Sequence, residues 1–306
     1  MSSYFDNKEL FTGPKVNQYG SHMLMTNVTR TSKIKYVNID TKFRDEYNLN
    51  LTTDYNITLP ERITDVLNIS VTNMEIPNTI YNISENLGNN AMKVTSAAYT
   101  AILVVRDGNY SQASLLAELN LRANAFSFPF TSPNFVIDAS GNTINIKSSG
   151  SNTYNIDFGV DSTGAFSKYN FKSRLGWLLG FRNQTYTSIT TKISSEFLCN
   201  VYGSRYLYLV VDEFTSNGNQ KSFVAPLPSS VLSKNILARI TMDNTTYPFL
   251  SMIPANCKNG LLLSDVRSYT GKVDIQKLNV QLVNENGIAM NLNGSDFSFC
   301  LKLEHE

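Results

Sequence analysis

Four kinds of residue in this 306-residue chain could carry chemistry, and their spacing decides what each can do. Asp40 with Asp45, and Asp212 with Glu213, are the candidate carboxylate pairs. Two carboxyls held close together can bind a cation or share the work of cleaving a glycosidic bond. Neither pair has a second ligand cluster at a related spacing. Loop capping is therefore the expected role of Asp40 and Asp45, and solvated strand-end charge that of Asp212 and Glu213. The only histidines are His22 and His305, neither placed where a preorganised pocket is expected, so Ser-His-Asp, Cys-His and histidine-bearing zinc sites are not read here. Cys199, Cys257 and Cys300 lie far apart and form no CxxC pair, which predicts buried reduced thiols instead of a zinc cluster or a disulfide framework. Gly176 and Gly180 are not followed by the Gly-Lys-Ser/Thr of a phosphate loop. No catalytic, cofactor-binding or metal-ligating residue is assigned, no cofactor is expected, and the chain is not read as an enzyme.

Composition narrows the partners. A formal net charge of +1 supplies no global field for drawing in a polyanion, so direct nucleic-acid binding is not expected. Charged residues make up only 17% of the chain, and Asn, Ser and Thr supply the polarity instead. Such a surface can be covered by neighbours through hydrogen bonds without desolvating ions, although a codon bias toward Asn accounts for the same composition. Seventeen Phe and sixteen Tyr against one Trp suit strands and interfaces, and Trp177 is read as a core anchor. There is no apolar run of about 18 residues and no hydrophobic leader, so neither a transmembrane segment nor a signal peptide is predicted, and synthesis in a reducing cytoplasm is expected.

The elements that must position these residues are mostly strands. Residues 34–39 and 55–59 are short apolar runs flanking a charged, Asn-rich loop, and residues 65–76 alternate apolar and polar side chains until Pro77 stops the ladder. Residues 99–106 read as a strand, and Ser111 caps a helix whose Leu115, Leu116, Leu119 and Ala123 form an apolar stripe, with Gln112, Glu118 and Arg122 on a polar face turned to solvent or to a neighbouring subunit. Short strands follow at 135–138, 143–147 and 154–158, the first two joined by a turn at 138–142, and a helix at 173–179 ends at Gly180. Further strands are expected at 196–202, 205–214, 235–242, 261–263, 271–283 and 297–303. Asn284-Glu285-Asn286-Gly287 reads as the tight turn of a hairpin joining the last two. On 205–214, Tyr206, Tyr208, Val210 and Asp212 share one face and Leu207, Leu209 and Val211 the other. Too few helices separate the strands for a parallel α/β fold, which leaves a mainly β, two-sheet antiparallel sandwich. Residues 1–33 lack a sustained period and contain Gly13-Pro14, so an extended N-terminal arm is expected. Residues 34–306 are expected to form the sandwich, interrupted at about 87–195 by an α+β insertion, with half of a second sandwich as the alternative for that stretch.

Several short motifs keep a recognisable order along this framework. Ile39-Asp40 with Arg44-Asp45, the strand Ile57, Leu59, Pro60, and the run Val66, Ile69, Val71, Glu75, Ile76, Pro77, Asn78, Tyr81, Asn82, Ile83 come first. Asp107-Gly108-Asn109-Tyr110-Ser111, Leu178-Leu179-Gly180-Phe181 and Arg205-Tyr206-Leu207-Tyr208-Leu209 follow, and the set closes with Val283-Asn284-Glu285-Asn286-Gly287 and Asp296-Phe297-Ser298-Phe299. From about residue 36 onward the chain thus resembles minor capsid proteins of large eukaryotic (nucleocytoplasmic) DNA viruses. The resemblance implies a jelly-roll β-sandwich and a structural role in the virion, cementing or spacing major capsomers of the icosahedral shell. It implies contact with the major capsid protein and other minor capsid proteins, and with further copies of itself. The rival reading is a carbohydrate-binding or attachment sandwich on a particle surface, with Tyr202, Tyr206 and Tyr208 as candidate platforms.

Overall fold

The computed structural model describes residues 31–96, 99–126, 133–137, 143–148, 153–166, 171–214 and 235–306. The expected arm lies outside the described residues up to position 30, as does the expected turn at 138–142. In chain order the strands are β1 (Lys33–Asp40), β2 (Asp54–Pro77), β3 (Ala91–Ser96), β4 (Tyr99–Val104), β5 (Pro133–Ile137), β6 (Ile144–Ser148), β7 (Tyr154–Asp157), β8 (Thr185–Ile189), β9 (Lys192–Ser194), β10 (Tyr206–Asp212), β11 (Ile236–Thr241), β12 (Met252–Asn256), β13 (Leu262–Ser264), β14 (Arg267–Val283) and β15 (Ser298–His305). The helices are α1 (Gln112–Asn124) and α2 (Leu175–Leu178).

Two long strands join the layers of the sandwich. The expected strands at 55–59 and 65–76 are one continuous β2, whose alternation slips around Asp65, a residue in the left-handed region at φ 56°. Its first half pairs with the end of β14, Lys277 against Thr58 through Gln281 against Asp54; in its second half, which lies along β15, Val66 to Ile69 meet the start of β14 on the other side and Asn73 to Pro77 meet β12. One layer therefore runs β1, β15, second half of β2, β12; the other runs first half of β2, end of β14, β10, β11. Numbered along the chain, and leaving aside short β13 on β11, these segments read 1-8-3-6 and 2-7-4-5. First and last strands are neighbours and all pairs are antiparallel, the winding of a jelly roll.

The alternation seen in the sequence packs this sandwich. Ile69, Val71 and Met74 of β2 turn inward with Phe299, Leu301 and Leu303 of β15, and Leu207, Leu209 and Val211 of β10 meet them from the other layer. Tyr208 and Val210 face away and pack with Ile236 and Val283 in a separate cluster. Burial pushes the Tyr55 hydroxyl well above the ordinary tyrosine range, so it stays protonated in the core.

Between β2 and β10 the chain builds a second body with its own core. β4, β3, β7 and β8 form one sheet in that order, and β5, β6 and β9 another. Leu115, Leu116 and Leu119 of α1 are buried there with Met92, Phe158 and Phe181. Ser111 caps α1 by accepting from the Ser114 amide, and the Ser114 hydroxyl answers at the Ser111 amide.

Four expectations about the elements are corrected. Residues 196–202 are not a strand: the amides of Phe197 and Asn200 bond the carbonyls of Gly180 and Leu178, so their backbone closes the end of α2 instead of a ladder. The 284–287 turn forms, with Gly287 at φ 77°, but β14 and β15 do not make a hairpin; β15 inserts between β1 and β2. The helix at 173–179 is shorter, a 3-10 turn at Phe171–Ser173 leading into α2. On that short helix Leu175 and Leu179 take the core positions, so Trp177 is half-buried on the outer side and is not a core anchor. Strands β3, β8, β9 and β12 carry no expectation from the sequence; in β12 Pro254 masks the signal, which an outer strand tolerates.

Gly180 gives a direct test of this local packing. Its φ is 95°, and a Cβ there would sit 2.0 Å from the Phe197 carbonyl oxygen, whereas one at Gly260, φ 75°, would meet nothing within 4 Å. Gly180→Ala is expected to cost about 1 to 3 kcal/mol for the backbone conformation, with the clash added, and Gly260→Ala only the backbone part. Thermal unfolding of both variants checks this; equal losses would contradict it.

Candidate assembly surface and junction cleft

The carboxylates singled out by spacing turn out to hold loops. Asp40 accepts from the Lys42 amide at 2.9 Å and caps a short 3-10 turn, and Asp45 accepts from the amide and hydroxyl of Thr58 at 3.3 and 2.7 Å. Asp212 accepts from the Phe214 amide. Glu213 departs from expectation: it is buried, not solvated, because Arg267 and the Tyr269 hydroxyl reach it at 2.6 and 2.7 Å. The expectation of buried thiols is corrected: Cys199 and Cys300 are half-buried, burial pushing the Cys199 thiol up to about 11, and Cys257 is exposed in the turn after β12. His305 ends β15, with Nδ1 3.2 Å from the Glu306 carbonyl, and His22 lies outside the described residues. Among the described residues no three His, Cys, Asp or Glu side chains converge to hold a metal ion. No described helix is long and apolar enough to cross a membrane.

What the motif around Arg44 builds is a rigid, apolar loop between β1 and β2. The buried Arg44 guanidinium donates to the carbonyls of Thr41, Tyr47 and Asn50 at 2.8, 2.9 and 3.1 Å, and pairs with Asp296 at 3.1 Å. Its flat face lies 3.9 Å from the centre of the Tyr47 ring. Asn50 returns a bond to the Asp45 carbonyl. Such a clamp fixes the loop before any partner arrives. Held on it are Phe43, Leu49 and Leu51, exposed by 73%, 83% and 62%. Three large apolar side chains are thus left in water within nine residues of a hydrogen-bonded loop.

The second motif ties the sandwich to the body that follows β2. Asn78 donates to Asn244 Oδ1 and the Tyr247 carbonyl at 3.0 and 2.7 Å. Asn82 donates to the carbonyls of Tyr110 and Val201 at 2.7 and 2.6 Å and accepts from the Tyr110 amide at 2.8 Å. Asn244 in turn donates to the Tyr202 carbonyl. These amides hold four loops around a cleft of about 590 Å³. None of the described residues lining it is charged.

Nothing among the protein-family models and none of the curated proteins matches this chain. Solved structures do. A chain of the cryo-EM structure of the Sputnik virophage is 14% identical, with 89% of this chain and 98% of that one covered at a TM-score of 0.39. The mavirus penton protein is 6% identical, with 89% and 99% covered at a TM-score of 0.42. The jelly-roll winding itself rests on the strand pairings described above.

Sequence reasoning found the Arg44-Asp45 and Asn78-to-Asn82 motifs but not their purpose. The exposed Phe43, Leu49 and Leu51 were hidden inside a stretch that reads only as a charged loop. The signal was present as three apolar residues with no helical or strand period.

Proposed function

We propose that this chain is a structural capsid protein that cements or spaces the major capsomers in the shell of a large DNA virus. It works in the virion, against the major capsid protein and other minor capsid proteins. The observation that carries this reading is the clamped apolar loop on a jelly-roll sandwich. A surface organised before binding loses little conformational entropy on contact, which favours a permanent geometric role over an adaptable one. Asn68, Ser70, Thr72 and Asn73, half-buried on the outer side of β2, suit the rim of such contacts, because they desolvate at lower cost than ions.

Replacing Phe43, Leu49 and Leu51 together by serine tests it. Each is exposed in the free subunit, so its stability should change by less than about 0.5 kcal/mol per site. Co-expressed with the capsid proteins of the same genome, the variant is expected to fail to enter particles that the unaltered chain enters. Incorporation at the unaltered level would defeat the proposal.

A further inference from the structure

The junction cleft has a character that a scaffold does not need. We infer that it binds a short neutral oligosaccharide. Four observations point there. The walls are built: Asn78, Asn82 and Asn244 spend their amides on backbone and on each other, so the shape exists before a ligand arrives. Its volume of about 590 Å³ falls within the ordinary range of small-ligand sites.

The lining also selects by charge. With no Lys, Arg, His, Asp or Glu among its described residues, the cleft offers no counter-ion to a phosphate, a sulfate, a carboxylate or an amine, and desolvating such a group there has no compensation. What it offers is rings beside neutral polar groups. Tyr81 and Phe249 pair at 6.0 Å between centroids, and Tyr202 stands 75% exposed at the rim, with the Asn109 amide also in solvent nearby. A pyranose presents a matching surface, with C–H groups on its faces and hydroxyls around its edge.

A peptide fits less well. The lining comes from loops, apart from the first residue of α1, and an extended peptide needs a free strand edge for its backbone hydrogen bonds.

The test is an array of neutral, sialylated and sulfated glycans probed with the full-length protein, followed by titration of the best neutral hit by calorimetry. Saturable binding to neutral glycans is expected, weakened at least tenfold in Tyr202→Ala and also reduced in Asn109→Ala, with melting temperatures unchanged because both side chains are exposed. Leu49→Ser, away from the cleft, should bind normally. Absence of binding to every neutral glycan, binding confined to acidic ones, or binding indifferent to both cleft variants would overturn the inference. So would a particle reconstruction showing a neighbour's polypeptide seated in the cleft.

Discussion

Arg267→Ala should be among the most damaging single substitutions in the sandwich, costing about 3 to 5 kcal/mol. Arg267 opens β14, and its guanidinium donates to the Val211 carbonyl at 2.8 Å, to Glu213 at 2.6 Å and to the Asn235 carbonyl at 2.7 Å. It thereby joins the end of β10 to the residue before β11. Both charged side chains are almost wholly buried. Tyr269 completes the cluster, its hydroxyl donating to Glu213; burial, reinforced by that carboxylate, raises its pKa far above the ordinary tyrosine range, so it remains a donor at any physiological pH. Removing the arginine leaves the buried Glu213 carboxylate without its counter-charge, the Tyr269 hydroxyl still donating to it, and takes one donor from each of the Val211 and Asn235 carbonyls; the uncompensated buried charge sets the size of the loss. Urea unfolding checks it through a lower midpoint at unchanged slope. The double variant Arg267→Met with Glu213→Leu should recover a large part, since the cost lies in the stranded charge more than in the lost pair. A single variant within about 0.5 kcal/mol of the unaltered protein would show that the cluster carries no stability.

The same cluster shows why some of the fold is legible in one dimension and some is not. Period-2 alternation in residues 65–76 and 205–214 announces strands with a core face, and the structure buries Ile69, Val71, Leu207 and Leu209 accordingly. A helix signal at 112–123 is equally local, because the cap and the apolar stripe both sit within a few residues. Glu213 reads as solvated because its partners, Arg267 and Tyr269, are more than fifty positions away. Pairing order hides for the same reason: nothing at Asn284 to Gly287 reveals that β15 will slot between β1 and β2 instead of folding back on β14. The candidate surfaces divide likewise. Arg44 and Asn82 stand out in sequence, yet their work is done on carbonyls of Thr41, Tyr47, Asn50, Tyr110 and Val201, which any residue type could supply.

Leu119→Ala is expected to cost about 2 to 5 kcal/mol, through lost transfer energy and the cavity left behind. Leu119 is fully buried in the core of the second body, beside Leu115 and Leu116 on the same stripe of α1. The other side of this helix is not the inert solvent face its pattern suggests. Glu118 is buried, because Arg106 beyond β4 reaches it at 3.0 and 3.2 Å and Arg122 one turn on reaches it at 2.8 Å. Two guanidiniums at i+4 and across the sheet end shield one carboxylate from water, which a helical wheel alone cannot show. The Arg106 hydrogen bond holds the Glu118 pKa below the usual glutamate range, against the opposing effect of burial and with help from Arg122. A depressed folded-state pKa means that this anchorage is fully present above the ordinary glutamate pKa and is lost as the pH falls through the lowered folded value. Unfolding measured across acidic pH should therefore show Glu118→Gln closing on the unaltered protein as the pH drops, while the Leu119→Ala deficit stays constant. If Leu119→Ala were neutral in the free subunit yet blocked entry into particles, the leucine stripe would be the contact between subunits and the buried core assigned to it would be wrong.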